Sequence, residues 1–253
     1  MANGFCTERF QMEYVESQMD SFVLWESHCH ARFELIIVLE GDVNVMLEGR
    51  SYRLTEGQTA LIPPLAYHTV TANGKGIYRR VTALFDGEHI PAPLRDRFLE
   101  KEAVFEGETT HGEGLRRLCE QQETQFYLPL AESYMTQIFY RGYEAGERST
   151  AEEDGFLRQV LSYIDGHLCE DLSLDALAEY TSRSRSSFCH LFKEKMKISP
   201  GQYIVQKKLA LANKLIGDGV PPTVAALQVG YDNYSNFYRM YRKHFGGSPA
   251  NRD

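Results

Sequence analysis

The sequence predicts an α+β protein of two domains: a β-barrel with helices following it over residues 1–148, and an all-α domain with two helix-turn-helix units over residues 149–253. Three observations predict this. Between Phe22 and Phe85 apolar residues fall in short, strand-length runs punctuated by glycine and proline. Near residue 111 the apolar spacing changes to three and four residues, the period of a helix. The C-terminal third repeats itself at a nearly fixed offset, the mark of a duplicated unit.

The strands come first. Glu34-Leu-Ile-Ile-Val-Leu39 is a buried-strand run stopped by Gly41-Asp42. Val43, Val45 and Leu47 then alternate with Asn44, Met46 and Glu48, and Glu48-Gly49 supplies a hairpin turn. Tyr52, Leu54, Leu61 and Ile62 continue the theme, with Gly57, Pro63 and Pro64 as punctuation. Many short strands with regular turns point to a sandwich or barrel. Two helices follow: Leu115, Leu118, Cys119, Gln122 and Phe126 mark the first, and Tyr134, Ile138 and Arg141 the second. Their stripes suit either packing against the barrel or a dimer surface. Gly146 to Ala151 is the expected linker, before a helix from about Glu153 to Leu168 with Phe156, Val160, Ile164 and Leu168 on one face.

Composition limits the class. A chain of 253 residues with 43% hydrophobic and 25% charged content is that of a soluble globular protein of two ordinary domains. The five cysteines are scattered and include no C-x-x-C pair, as expected of a reducing compartment. Glu8, Arg9 and Glu13 stand where a signal peptide needs an apolar core, and the run Leu35 to Leu39 is too short to span a bilayer. The expected location is the cytoplasm, with no membrane partner. Residues 181–253 hold 12 lysines and arginines against four acids in a chain of net charge −8, leaving residues 1–180 at −16. An acidic body with a basic end fits a nucleic-acid-reading segment fused to something else, and equally a solvated basic surface.

The repeat is specific. Phe188, Leu191, Phe192, Lys193, Ser199 and Pro200 return as Phe237, Met240, Tyr241, Arg242, Ser248 and Pro249, each 49 residues later. Ala178 matches Ala226 at an offset of 48, so one extra residue lies in the second unit's turn. Each unit is a helix, a turn and a second, apolar-striped helix. Ser173 and Asp175 open the first unit's leading helix, and Asp232 and Asn233 can cap the second unit's trailing helix. The stretch Tyr203 to Ile216 forms a helical spacer of roughly 21 Å, compatible with two trailing helices one DNA turn (~34 Å) apart.

Ser173-Leu-Asp-Ala-Leu-Ala178, Phe188-x-x-Leu-Phe-Lys193, Ile198-Ser-Pro-x-x-Tyr203 and Gly230-Tyr-x-x-x-x-x-Phe-x-x-x-Tyr-Arg242 resemble the AraC/XylS family of bacterial transcription regulators, over residues 155–250. The resemblance implies double-stranded DNA as partner, a small-molecule effector, a homodimer through the N-terminal half and contact with RNA polymerase. Pro222 and Ala225 depart from it, standing where the second leading helix usually has branched apolar residues; that helix is expected to start late and pack loosely. Side chains facing away from each stripe are the candidate base readers: Arg185, Ser186, Cys189 and His190 in the first unit (with Arg183 at the helix start), and Tyr234, Ser235, Asn236 and Arg239 in the second. Arg239 stands out because guanidinium can bond guanine O6 and N7 together. Lys193, Lys195, Arg242 and Lys243, with Lys197, suit phosphates.

The N-terminal half carries a second pattern. His28-Cys-His30, three residues, Glu34, six residues, Gly41 fits the first motif of the cupins. Gly57, five residues, Pro63 and then His68 fits the second in part, with Leu65 in place of the usual glycine and Ala72 in place of the closing asparagine. In the cupins it resembles, the residues matching His28, His30, Glu34 and His68 bind a divalent metal, here Zn, Ni, Mn or Fe by the mixed N/O set. The first two, at i and i+2, are expected on one face of a strand. The same groups suit direct hydrogen bonds to an effector, or a polar network closing the barrel mouth.

The function expected is thus a DNA-binding transcription regulator, not an enzyme, modulated by a small molecule in the barrel. A sugar stacking on Tyr52, Tyr67 and Trp25 is one effector class, although core packing explains those rings too. Two alternatives stand beside it: a metal-dependent cupin enzyme with a DNA-binding appendage, and a ligand-independent regulator whose barrel only dimerises.

Overall fold

The computed structural model describes residues 3–7, 9–19, 28–100, 103–106, 109–121, 126–145 and 154–249. The expected linker at 146–151, Trp25, Gln122 and the start of the strand region at Phe22 lie outside the described residues. The chain divides into two compact units. Met1–Glu26 with Arg32–Glu152 form the first; Glu153–Asp253 form the second, with which the short stretch Ser27–Ala31 is grouped.

In the first unit the strands are β1 (Asn3–Cys6), β2 (Phe10–Met19), β3 (Phe33–Glu40), β4 (Asp42–Leu47), β5 (Arg50–Thr55), β6 (Gln58–Ile62), β7 (His68–Ala72), β8 (Gly76–Phe85) and β9 (Ala103–Glu106). They make two antiparallel sheets ordered β1-β2-β8-β3-β6-β9 and β5-β4-β7. The helices are α1 (Ala92–Glu100), α2 (Thr109–Gln121) and α3 (Tyr127–Ala145). The β4–β5 connection is the expected two-residue hairpin: Leu47 pairs with Arg50, and Glu48 and Gly49 both have positive φ, 44° and 77°. That turn matches the right-handed twist of its strands.

Strand β3 is apolar on both faces because both faces are covered. Leu35, Ile37 and Leu39 join Val81, Ala83 and Phe85 of β8 in a core completed by Leu115 and Cys119 of α2 and Met135, Ile138 and Phe139 of α3. Ile36 and Val38 turn the other way, against Val43, Val45, Leu54, Val70 and Ala72 of the three-stranded sheet. Each Val, Leu, Ile, Phe or Met side chain among them contributes about 1.5–3 kcal/mol by its burial. The apolar stripes of the two helices therefore pack on the sheet.

Several expectations are corrected. Strands β1 and β2 lie in the charged N-terminal stretch, because Phe10 and Met12 alternate into the core while Gln11 and Glu13 take the other face. Helix α1 and strand β9 were not anticipated. Phe126 is 66% exposed and precedes α3, and Arg141 is exposed, so neither belongs to a buried stripe.

The second unit holds α4 (Gly155–Gly166), α5 (Leu174–Tyr180), α6 (Arg185–Met196), α7 (Pro200–Gly217), α8 (Pro222–Gln228) and α9 (Tyr234–Phe245). Of the caps, Ser173 and Asn233 were expected from the sequence, and Asp154, Ser184 and Ser199 join them. Asp154, Ser173, Ser184, Ser199 and Asn233 each accept a backbone N–H of the helix that follows, and Ser199 completes a capping box with Gln202. Helix α8 corrects the expectation of a late, loose start. It begins at Pro222, where the missing N–H is not needed, and Ala225 and Ala226 are buried to 0% and 1% exposure. Small side chains there permit close packing against α7, whose Leu209 and Ala212 share that core with Val229, Phe237 and Tyr241. The spacer is longer than expected, 18 residues in α7, about 27 Å.

Candidate functional site

Two helix-turn-helix units stand on α7. In the first, α5 and α6 are joined by 181–184; in the second, α8 and α9 are joined by 229–233, one residue more. The leading helices correspond at an offset of 48 and the trailing helices at 49, so the extra residue falls in the turn. Both turns contain one left-handed residue at the same place, Ser182 (φ 54°) and Gly230 (φ 78°). Both trailing helices end in another, Lys197 (φ 60°) and Gly246 (φ 77°).

Burial fixes which face each trailing helix keeps. Phe188, Phe192 and Met196 anchor α6, and Phe237 and Tyr241 anchor α9, with the Tyr241 hydroxyl donating to Asn213 Oδ1 of α7 at 2.6 Å. The exposed positions correspond one for one: Arg185, Ser186, Ser187, His190, Lys193 and Glu194 in α6, and Tyr234, Ser235, Asn236, Arg239, Arg242 and Lys243 in α9. Sequence reasoning named all of these but Ser187 and Glu194. The 49-residue offset from Asn236 would have found Ser187. Cys189 is half-buried and lies to the side of this face.

Internal partners modify several groups. Arg185 Nη1 reaches Asp175 Oδ2 at 3.0 Å across the two helices of its unit. Arg239 Nη2 donates to Asn236 Oδ1 at 3.0 Å, which orients the guanidinium along the helix. Arg242 lies 5.9 Å from the Tyr238 ring centre. Lys195 is engaged elsewhere: its ammonium meets Asp154 Oδ2, whose carboxylate also caps α4. Burial pushes that carboxyl's pKa up, but Lys195 and the Phe156 and Leu157 amides more than reverse it, and the net shift is down.

One ligand atom each from His28, His30, Glu34 and His68 lies within 4.8 Å of the others. His68 Nε2 meets Glu34 Oε2 at 2.9 Å, and His68 Nδ1 lies 3.0 Å from the Ala66 carbonyl. Burial disfavours the imidazolium of His68, but the Glu34 charge and hydrogen bond outweigh it and raise the pKa. The His28–His30 pair is not on a strand; it lies in the irregular segment before β3, with ring centres 5.6 Å apart. Leu65, in the place of the usual glycine, holds φ at +68°, a strained conformation for a side chain branched at Cγ.

Strand parity places further groups on the face of Glu34. In β8, Val81, Ala83 and Phe85 face the helices, so Tyr78, Arg80 and Thr82 face the three-stranded sheet. Arg80 donates from Nε to Thr82 Oγ1 at 3.1 Å and lies 5.4 Å from the Tyr78 ring centre. Sequence reasoning missed these three; the alternation through Val81, Ala83 and Phe85 was the available signal. Tyr52 and Tyr67, for which sugar stacking and core packing were both open, are 8% and 0% exposed and packed among protein atoms.

A strand-built sensor-type fold and a duplicated helix-turn-helix define the class: a DNA-reading unit joined to a domain of ligand-binding type. Residues 10–161 match the model of the AraC-like ligand binding domain, and residues 177–251 match a helix-turn-helix domain model. The chain belongs to the AraC family of transcription regulators. The uncharacterized HTH-type transcriptional regulator YobQ of Bacillus subtilis is 25% identical over 239 residues, 89% of this chain and 88% of that protein. The match to the uncharacterized HTH-type transcriptional regulator YdiP of Escherichia coli is 26% identical over 45% of this chain, and that to the probable transcriptional regulator LumQ of Photobacterium leiognathi is 35% identical over 35%. These two matches span only 39% and 36% of the relatives' own lengths. A solved structure of apo ToxT from Vibrio cholerae, 10% identical, aligns over 96% of each chain with a TM-score of 0.47. Among the described residues no helix is long and apolar enough to cross a membrane.

Proposed function

We propose that the protein is a one-component transcription regulator that binds double-stranded DNA through α6 and α9 and responds to a small molecule in the N-terminal barrel. One observation carries the DNA half: the two trailing helices bury matching stripes and leave matching positions exposed, so two similar surfaces with different side chains are offered to two groove segments. Arg239 and His190 occupy the same position on the two surfaces and are the central base readers. Lys193, Arg242 and Lys243 hold phosphates. Binding-site selection with the full chain tests this. The expected result is a bipartite sequence with half-sites about one helical turn apart; recovery of unrelated sequences with no consensus would defeat it.

For the barrel we propose that the effector's polar groups meet Glu34, His68 and Arg80 on the inward face, and that a divalent ion joins His28, His30, Glu34 and His68. The donor chemistry fits such an ion. If Nδ1–H of His68 donates to Ala66, Nε2 is left to coordinate, as in histidines steadied by a backbone carbonyl. An ion there would displace the proton shared with Glu34, so uptake should release protons and strengthen with rising pH. Elemental analysis of tag-free protein incubated with Zn, Ni, Mn and Fe checks this, with about one ion per chain expected and loss on His68→Ala. A metal content near zero would leave these side chains to the effector alone.

A further inference from the structure

The two units differ at a position where the repeat makes them comparable. The left-handed residue in the first turn is Ser182 and in the second is Gly230. Serine therefore tolerates this backbone, and conformation alone does not call for glycine in the second turn. Space does. A Cβ built on Gly230 would stand 2.8 Å from Lys208 Nζ, 2.9 Å from the Cys169 carbonyl oxygen and 3.3 Å from that of Glu170.

Lys208 lies mid-way along α7, 8% exposed, and its ammonium donates to the Glu170 carbonyl at 2.9 Å. Residues 169 and 170 belong to the loop after α4, in the first half of the domain; Gly230 belongs to the turn of the second half. Burial lowers the pKa of this lysine, and the neighbouring charges that oppose the shift include Asp171 on the first side and Asp232 on the second. The adjacent Lys207, 4% exposed, meets Asp165 of α4 at 2.9 Å, so consecutive lysines fasten α7 to α4 and its loop. A buried ammonium is costly unless its donors are used. An apolar residue of similar length could fill the same volume, but only a donor can hold a carbonyl of one half against the backbone of the other.

We propose that Lys208 is a positioning residue for DNA recognition: with its ammonium seated on the Glu170 carbonyl and beside the Gly230 turn, it fixes the second recognition helix relative to the first and so sets the half-site spacing the protein accepts. This role rests on the two-helix reading of DNA above. It concerns rigidity, because a hinge along α7 would let each unit bind its own half-site while losing the register between them.

The experiment uses the full chain and the bipartite DNA selected by the wild type. Affinity is measured on that DNA, on each half-site alone, and on a series with one to five base pairs inserted between half-sites, each insertion turning the second site by about 35°. The wild type should lose about tenfold or more on insertion of two base pairs. Lys208→Met should weaken binding to the original DNA by about tenfold, keep half-site binding, and vary by only about threefold across the insertion series. Lys208→Arg should restore most of the spacing preference, because its guanidinium can still reach a carbonyl. Gly230→Ala should mimic Lys208→Met, and the double variant should be little worse than either alone, since both act on one contact. A Lys208→Met chain with wild-type spacing dependence overturns the role. So does a parallel loss of half-site binding, or of helical content by far-UV circular dichroism, either of which makes Lys208 a general stability element. A wild type that selects no sequence defeats the DNA reading itself, whereas a wild type that binds specifically but ignores spacing defeats only Lys208.

Discussion

The first helix-turn-helix unit is braced by side chains at its own helix starts, the second by its neighbours. Ser173 caps α5 and Ser184 caps α6, while Pro221 offers α8 no side-chain cap and only α9 is capped, by Asn233. The second unit compensates by contact. Ala225 and Ala226 bring α8 close, Tyr241 bonds to Asn213 of α7, and Gly230 lets Lys208 and the Cys169 carbonyl approach. The reading faces differ as well: α6 presents Arg185, Ser186, Ser187 and His190, and α9 presents Tyr234, Ser235, Asn236 and Arg239. One scaffold, used twice, thus carries two chemistries, and the unit with fewer local signals depends more on the spacer helix.

The largest effects should come from removing the anchors that the two units share. Phe188 and Phe237 are each fully buried at equivalent positions, and truncation to alanine should cost about 3–5 kcal/mol in either. Phe188 also faces Phe156 of α4, with ring centres 6.2 Å apart, whereas Phe237 packs within the core shared by α7, α8 and α9. If the second unit depends on α7 as argued, Phe237→Ala should abolish binding to its half-site and leave the other half-site bound. Chemical denaturation followed by circular dichroism, beside half-site binding, measures both. A cost below about 1 kcal/mol at either position would break the equivalence of the two stripes.

Much of this was legible in sequence because its causes are local. Capping residues, the hairpin at Glu48-Gly49 and the stripes of α6 and α9 are properties of a few neighbouring residues. What stayed hidden depends on who lies across the sheet or the domain. Phe10 and Met12 alternate with polar and charged neighbours in β2, and only its pairing with β8 shows which face joins the core. Arg80 takes its place on the face of Glu34 only once β8 is paired with β3. The lysines at 207 and 208 lie on the spacer helix, and only the packing of α4 and the second turn shows that both are buried. At the candidate site, His28, His30, Glu34 and His68 were legible by spacing, whereas the irregular backbone that carries the first two was not.

A smaller effect sharpens the contrast between the reading faces. Arg239→Ala should cost about 1–3 kcal/mol at one base pair and relax the preference there. His190→Ala, at the matching position, should cost less, because imidazole offers one useful donor at a time against the paired donors of guanidinium. Selection with each variant is the measurement. Uniform weakening across all sequences in the Arg239 variant would reassign it to phosphate.

The smallest effect concerns Lys195, whose counterpart in α9 is His244. Lysine at this place was expected to hold phosphate, but its ammonium meets Asp154, the cap of α4. A charge already engaged in the protein displaces few counterions from DNA. Lys195→Ala should therefore leave the salt dependence of binding nearly unchanged, whereas Lys193→Ala and Arg242→Ala should each reduce the slope by about one. Stability should register the loss instead. The Asp154 carboxyl is held below its ordinary pKa when folded, so its contribution is present above about pH 4 and is lost as pH falls through the lowered value. Without Lys195 that acid-sensitive contribution should shrink by no more than about 1 kcal/mol, since the pair is partly exposed. Titrating stability between pH 2 and 7, with DNA affinity at several salt concentrations, separates brace from phosphate clamp: a lower salt slope with an unaltered acid limb would return Lys195 to the DNA surface.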